Sequence, residues 1–324
     1  MGDPAGIGPE IIAKGFSAAR EYGHVVVIGD ADVMRAALDI CEISHQIETC
    51  SEPADAPDAP GIIPVIDLDN VEDLDRGIVA SSYGRASLEY LERAIDLAST
   101  GMIDAITTAP INKQSIGLAG SEHAGHTGLL AARTNTTHYS MMLVEKSLRV
   151  THVSTHVPLR EACDLVTERR VFETIRVTDE ALKEFGIRKP TIAVAGLNPH
   201  AGDGGLMGST EAEEIEPAIQ RARQEGIDVF GPEPPDTIYI RAADGHADCV
   251  VSMYHDQGHI PIKMMGFTGG ESISGVNVTI GLPIVRTSVD HGTAFDIAGT
   301  GQASETSLVE AVEVASQLAR SRGQ

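Results

Sequence analysis

The chain has 324 residues, 42% of them hydrophobic and 22% charged, the balance of a soluble globular protein long enough for two domains. Its 24 Lys and Arg against 47 Asp and Glu leave a net charge of −23, which repels phosphate backbones and anionic membranes and argues against nucleic-acid or membrane partners. An anionic small substrate would therefore need a local basic pocket.

No apolar run approaches ~18 residues, so no membrane-spanning helix is expected. The N-terminus has no basic segment followed by an apolar one, so no signal peptide is expected either. The four cysteines, Cys41, Cys50, Cys163 and Cys249, show no CxxC spacing and read as reduced thiols of a cytoplasmic protein. Cys249 lies in an apolar run and reads as core, not as a nucleophile.

Taken in chain order, β-branched runs predict strands at HVVVIG near Val26, GIIPVI near Ile63, MIDAITT near Ile106, SMMLV near Leu143 and LRVTHVST near Val150. PTIAVAGLN near Ala193 and DCVVSMY near Val251 follow. Between them, SLEYLERAIDLAS carries Leu88, Leu91, Ala94 and Leu97 at helical spacing. VFETIRVTDEALKEFG and EEIEPAIQRARQEG do the same and end at glycines suited to a helix C-cap, and SLVEAVEVASQLARS is the last helix. GPEPPD near Pro232 reads as a turn between elements. Alternating strands and helices predict an α/β protein with largely parallel sheets.

In open α/β sheets ligands bind beyond the carboxyl ends of strands, so the polar residues just past each apolar run carry most information. Three runs end alike, leading to His156, His200 and His255. Three imidazoles at one sheet edge form a divalent-metal site with open positions; the alternative is that each caps a loop. GLNPHAGDGG surrounds His200 with glycine but lacks the dinucleotide spacing. GDPAGIGPE places a Gly-rich turn before Pro9, a favoured first helical residue, and offers backbone N–H groups to an anion or serves as a structural turn. GHTGLL puts His126 and Thr127 at another helix start. Lys113, Arg160, Lys263 and Arg286 are cations within or near these clusters, and Asn277 and the run DHGTAFDIAG stand out in the C-terminal part.

Together GDPAGIGPE, GHT, STHVPLR, LNPHAGDGG, MYHDQG and RTSVDHGTAFDIAG resemble the 4-hydroxythreonine-4-phosphate dehydrogenase family, from Gly2 to about Gly301. HVSTH, GPEPPDT and YHDQGHIPIK look most like the branch acting on 4-phospho-D-threonate or D-erythronate 4-phosphate. The resemblance implies an isocitrate/isopropylmalate-dehydrogenase-like fold of two α/β domains with an interdomain cleft. The first would span residues 1–125 plus 285–324 on the cofactor side, the second 126–284 on the metal and dimer side. It implies a homodimer with active sites at the interface, and His156, His200 and His255 as metal ligands, the third from the partner subunit. His126, Thr127, Lys263, Asn277 and Arg286 match substrate-contacting positions. HGTAFDIAG is similar to an adenosine-binding loop, which assigns His291, Gly292, Thr293 and Asp296 to the cofactor and favours NAD, since an acidic Asp296 accepts from ribose hydroxyls. Asp256 would orient a ligand histidine, and Lys113 is a candidate base. Three histidines favour zinc, with Mg²⁺, Mn²⁺ or Co²⁺ as other occupants.

The implied reaction is NAD-dependent, metal-assisted oxidation and decarboxylation of a 4-phosphorylated 3-hydroxy acid to a phosphorylated ketone. That acid is 4-phospho-D-threonate, D-erythronate 4-phosphate or 4-phosphohydroxy-L-threonine. A relative oxidising a cis-dihydrodiol dicarboxylate is the near alternative and would need no phosphate pocket. A metal-dependent phosphatase or hydrolase would turn over without NAD, and a non-catalytic sugar-acid binding protein would bind without turnover. Two departures from the family pattern concern the chain's start at Met1, where a strand normally precedes GDPAGIGPE, and extra residues between Gly266 and Val276.

Overall fold

A computed structural model describes residues 1–123, 125–267 and 275–323. The chain divides into two compact units, Met1–Thr136 with Leu282–Ala319, and Thr137–Gly281 with Arg320–Gln324. Both alternate strands with helices, as the sequence predicts, and strands are numbered below in chain order.

The first unit holds β1 (Val27–Gly29), β2 (Gln46–Cys50), β3 (Ile62–Asp67), β4 (Ala105–Thr108) and β11 (Val285–Val289). β1, β3 and β2 form a parallel sheet in that order. Met34 and Ala37 from helix Ala31–Ile40, Phe16 from helix Gly8–Ala19, and Ile63 and Val65 from β3 close a core over it. Met34, Phe16, Ile63 and Val65 contribute roughly 1.5–3 kcal/mol each when fully buried. The Asp30 carboxylate caps helix Ala31–Ile40 by accepting from the N–H groups of Asp32 and Val33. β4 and β11 pair in parallel, setting Arg286 beside Ile106 and Thr287 beside Thr107.

The second unit holds β5 (Ser140–Glu145), β6 (Leu148–His152), β7 (Thr191–Ala195), β8 (Asp228–Glu233), β9 (Cys249–Ser252) and β10 (Val276–Ile280). Their order is β10-β5-β6-β9-β7-β8; the first two pairings are antiparallel and the rest parallel. Every residue of β9 is buried, which explains why CVVS reads as an unbroken apolar run and not as an alternating one. GPEPPD, read from sequence as a turn between elements, is so only in its second half: Gly231, Pro232 and Glu233 extend β8, and Pro235 and Asp236 turn toward the next helix. Pro232 is tolerated in the strand because β8 is the last strand in the order and pairs with β7 alone. The extra residues noted between Gly266 and Val276 fall largely on 268–274, outside the described residues.

Candidate active site

The exits of β6 and β9 lie in register, His152 opposite Ser252, so the segments that follow start side by side. Backbone bonds continue the pairing beyond the strands, from Val153 N–H to Ser252 O at 2.9 Å and from Ser154 N–H to Met253 O at 3.3 Å. The Ser154 hydroxyl donates to the same Met253 carbonyl at 2.9 Å. Gln257 ties in a third strand exit: its Oε1 accepts from Met253 N–H at 2.7 Å, and its Nε2 donates to Gly196 O just past β7 at 2.8 Å. Three strand exits are thus tied together by hydrogen bonds.

This brings His156 and His255 together, with ring centroids 5.5 Å apart and planes inclined at 54°. His255 opens the helix His255–Phe267, and its Nδ1 lies 2.6 Å from Asp256 Oδ1. A carboxylate can only accept, so Nδ1 carries the proton and the Nε2 lone pair is left for another partner. With Nδ1 held, His255 is a donor whose chemistry suits a divalent transition metal.

His200 sits elsewhere, on an exposed segment Pro199–Gly205 beyond β7. His200, Ala201 and Asp203 all adopt positive φ, at 55°, 56° and 46°. Such backbone costs of order 1–3 kcal/mol per non-glycine residue and persists only where its surroundings impose it. Here the buried Glu211 carboxylate accepts from Asn198 N–H at 2.7 Å and Asn198 Nδ2 at 3.0 Å. Gly202 is required beside it, since a Cβ there would lie 2.8 Å from Glu211 Oε2. Among the described residues no three His, Cys, Asp or Glu side chains of one chain surround a common centre. His156 and His255 are paired within the chain; His200 does not join them.

Two histidines that the sequence motifs HVSTH and YHDQGHIPIK contain, but to which no role was assigned, complete the cluster. His259, one turn after His255, stacks on it at 3.6 Å and 12°. His152, the last residue of β6, is fully buried and lies 4.8 Å from the His259 ring and 6.4 Å from that of His255. Burial, reinforced by His259, pushes the His152 pKa down to about 3, so its ring is neutral near pH 7. The spacings His152/His156 and His255/His259 were visible in the sequence, but each partner hid inside an apolar run.

Other predicted positions gather within their own units. In the first, Arg286 on β11 is buried and donates to Thr108 Oγ1 at 2.7 Å. Burial lowers its pKa to about 10, which still leaves it cationic at neutral pH. His126 begins helix His126–Arg133 with Thr127 next to it, both partly exposed. Burial of the His126 ring, then the charges of Arg286 and the N-terminal ammonium, hold its pKa well below the ordinary histidine value. It is a neutral donor beside a buried cation. Lys113 opens helix Lys113–Leu118 with an exposed side chain, and Asn112 caps that helix. In the second unit, Asn277 on β10 donates to Met141 Sδ at 3.1 Å, while its buried Oδ1 has no hydrogen-bond partner. Buried amide oxygens without a partner are rare in folded proteins. Lys263 lies partly buried in helix His255–Phe267.

The loop from His291 to Gly301 is held from below by the turn GDPAGIGPE. Glu10 is buried, and its two oxygens accept from Gly299 N–H at 2.5 Å and Gly301 N–H at 2.7 Å. Ile7 N–H donates to Thr293 O at 3.0 Å, and a Cβ on Gly6 would come within 3.0 Å of Thr293. Of the two readings of this turn, these contacts match the structural one, a scaffold for the loop. On the loop His291 and Thr293 are partly exposed, and Gly292 and Asp296 are exposed.

A family model described as pyridoxal phosphate biosynthetic protein PdxA matches residues 21–315. A D-threonate 4-phosphate dehydrogenase from Pectobacterium atrosepticum is 46% identical over 323 residues, covering 98% of each chain. A crystal structure of a 4-hydroxythreonine-4-phosphate dehydrogenase from Klebsiella pneumoniae matches with a TM-score of 0.88 and 44% identity over 98% of each chain. That of a terephthalate 1,2-cis-dihydrodiol dehydrogenase from Burkholderia xenovorans LB400 matches with a TM-score of 0.67 and 31% identity, covering 98% of this chain and 96% of the other.

Proposed function

The chain belongs to the PdxA family, and from that premise we propose that it is a dehydrogenase oxidising and decarboxylating a 4-phosphorylated 3-hydroxy acid, with 4-phospho-D-threonate as the best-supported substrate. The single observation that carries this reading is 46% identity over 98% of both chains to a protein named D-threonate 4-phosphate dehydrogenase. Identity to the dihydrodiol dehydrogenase is lower, at 31%.

His156 and His200 of one subunit and the third ligand, His255, from the partner subunit of a homodimer would hold a divalent cation, zinc by preference. When bound, that cation supplies Lewis acidity at the C3 oxygen and the substrate carboxylate, and NAD⁺ supplies the hydride acceptor. Asp256 keeps the His255 proton on Nδ1, so Nε2 stays available as a ligand. Arg286 brings a permanent charge and a planar fork for an anionic end of the substrate. Neutral His126 adds an N–H without a second charge, with Thr127 beside it. Lys263 and Asn277 orient the rest, which lowers the entropic part of the barrier. Lys113 is the candidate for taking the hydroxyl proton. His291, Gly292, Thr293 and Asp296 would receive the adenosine end of the cofactor, where the Asp296 carboxylate favours NAD because it repels a 2′-phosphate. Free thiols at all four cysteines and the lack, among the described residues, of any helix fit to cross a membrane support work in the cytoplasm.

The test is NADH formation by the purified protein with 4-phospho-D-threonate, D-erythronate 4-phosphate, 4-phosphohydroxy-L-threonine and a cis-dihydrodiol dicarboxylate, each with and without chelator. Turnover of 4-phospho-D-threonate, lost on chelation and restored by added metal, is the expected result. Preference for the dihydrodiol, or chelator-insensitive turnover, would refute it.

A further inference from the structure

We propose that His259, backed by His152, is a positioning residue that fixes the ring plane of His255 for divalent-cation binding, an inference that rests on the metal reading above. His259 sits four residues after His255 on the same helix face, and the rings lie almost parallel at 3.6 Å and 12°. Both rings are pinned at Nδ1. That of His259 donates to the His255 carbonyl at 3.0 Å, and that of His255 is held by Asp256 Oδ1 at 2.6 Å. Imidazole lone pairs lie in the ring plane, so two near-parallel stacked rings cannot aim at one cation. His259 is thus a wall and not a ligand, and the ring it backs is the one whose Nε2 stays free for the cation.

His152 closes the far side. Its ring packs on His259 at 4.8 Å, and neither of its buried nitrogens has a hydrogen-bond partner. The helix packs tightly on it and on its strand neighbours: a Cβ on Gly258 would lie 2.5 Å from His152 Nε2, 2.6 Å from Val150 Cγ1 and 2.8 Å from Ser252 Oγ. Gly258 has an ordinary φ, so close approach to these side chains, not backbone freedom, is what the glycine supplies. An aliphatic filler would satisfy burial as well as His152 does. A flat, stiff ring additionally leaves His259 one seat, and His259 leaves His255 one plane.

The experiment measures Mn²⁺ and Zn²⁺ affinity by chelator competition in full-length protein, comparing wild type with His259→Leu, His259→Gln and His259→Phe. Leu and Gln remove the flat ring by different chemistries, so whichever folds reports. Loss of the ring is expected to weaken metal binding about 10- to 100-fold, the effect typical of outer-shell partners. The metal-free melting temperature should stay near that of wild type, and His259→Phe should regain most of the affinity. Wild-type affinity in the Leu or Gln variant, or a Phe variant as weak as they are, would overturn the positioning role while leaving the metal site standing. A wild-type protein that binds neither cation would overturn the metal reading, and this inference with it.

Discussion

His255 owes its chemistry to its covalent neighbour: Asp256 pins one ring nitrogen and thereby frees the other. That dipeptide was legible in the sequence; the approach of His156 to His255 within one chain was not. The protonation of His126 was not legible, because it depends on how deeply the ring is buried and on Arg286, 160 positions away. Its depressed pKa has a stability consequence. The unfolded chain takes up a proton near pH 6.5 that the folded chain refuses, so stability falls on acidification below that value. The slope is at most about 1.4 kcal/mol per pH unit. Urea unfolding at pH 7 and pH 5.5 should show this loss in wild type and less of it in His126→Gln. The Cys249 thiol shows the same dependence on burial, being pushed up to about 12, which makes it core and not a nucleophile.

Among the elements, the strands most legible in sequence were those buried on both faces. β2 was missed because its pattern is mostly exposed, and β10 and β11 because GVNVTIGLPIVRTS was read for Asn277 and Arg286 and not for periodicity. The helix His255–Phe267 carries its glycine for reasons invisible along the chain. Gly→Ala inside a helix ordinarily stabilises by up to ~1 kcal/mol. Gly258→Ala should do the opposite, losing about 1–3 kcal/mol as the new methyl meets His152, a change that denaturant titration would detect. The turn GDPAGIGPE makes a parallel case. Glu10→Gln replaces one acceptor oxygen by a donor that faces an N–H of Gly299 or Gly301, costing roughly 1–3 kcal/mol at the loop. The Michaelis constant for the nicotinamide cofactor should rise several-fold while divalent-metal affinity stays put.

Across the whole molecule, a net charge of −23 coexists with a buried guanidinium and a neutral imidazole beside it, the local reversal an anionic substrate needs. Because the metal reading takes His255 from the partner subunit, it makes activity depend on assembly. Dilution through the dimer dissociation range should release metal and abolish turnover together, followed by sedimentation and a metal-sensitive dye. Activity that persists in a metal-loaded monomer would contradict it. The family, the α/β alternation and the residue types at the strand ends were all determined by the sequence, since periodicity and short motifs are local properties of a chain. Only the tertiary structure decided which of those residues meet. It paired His156 with His255, recruited His152 and His259, and turned a glycine-rich helix start into a scaffold, because such contacts join positions about 100 to 290 residues apart through strand register and packing.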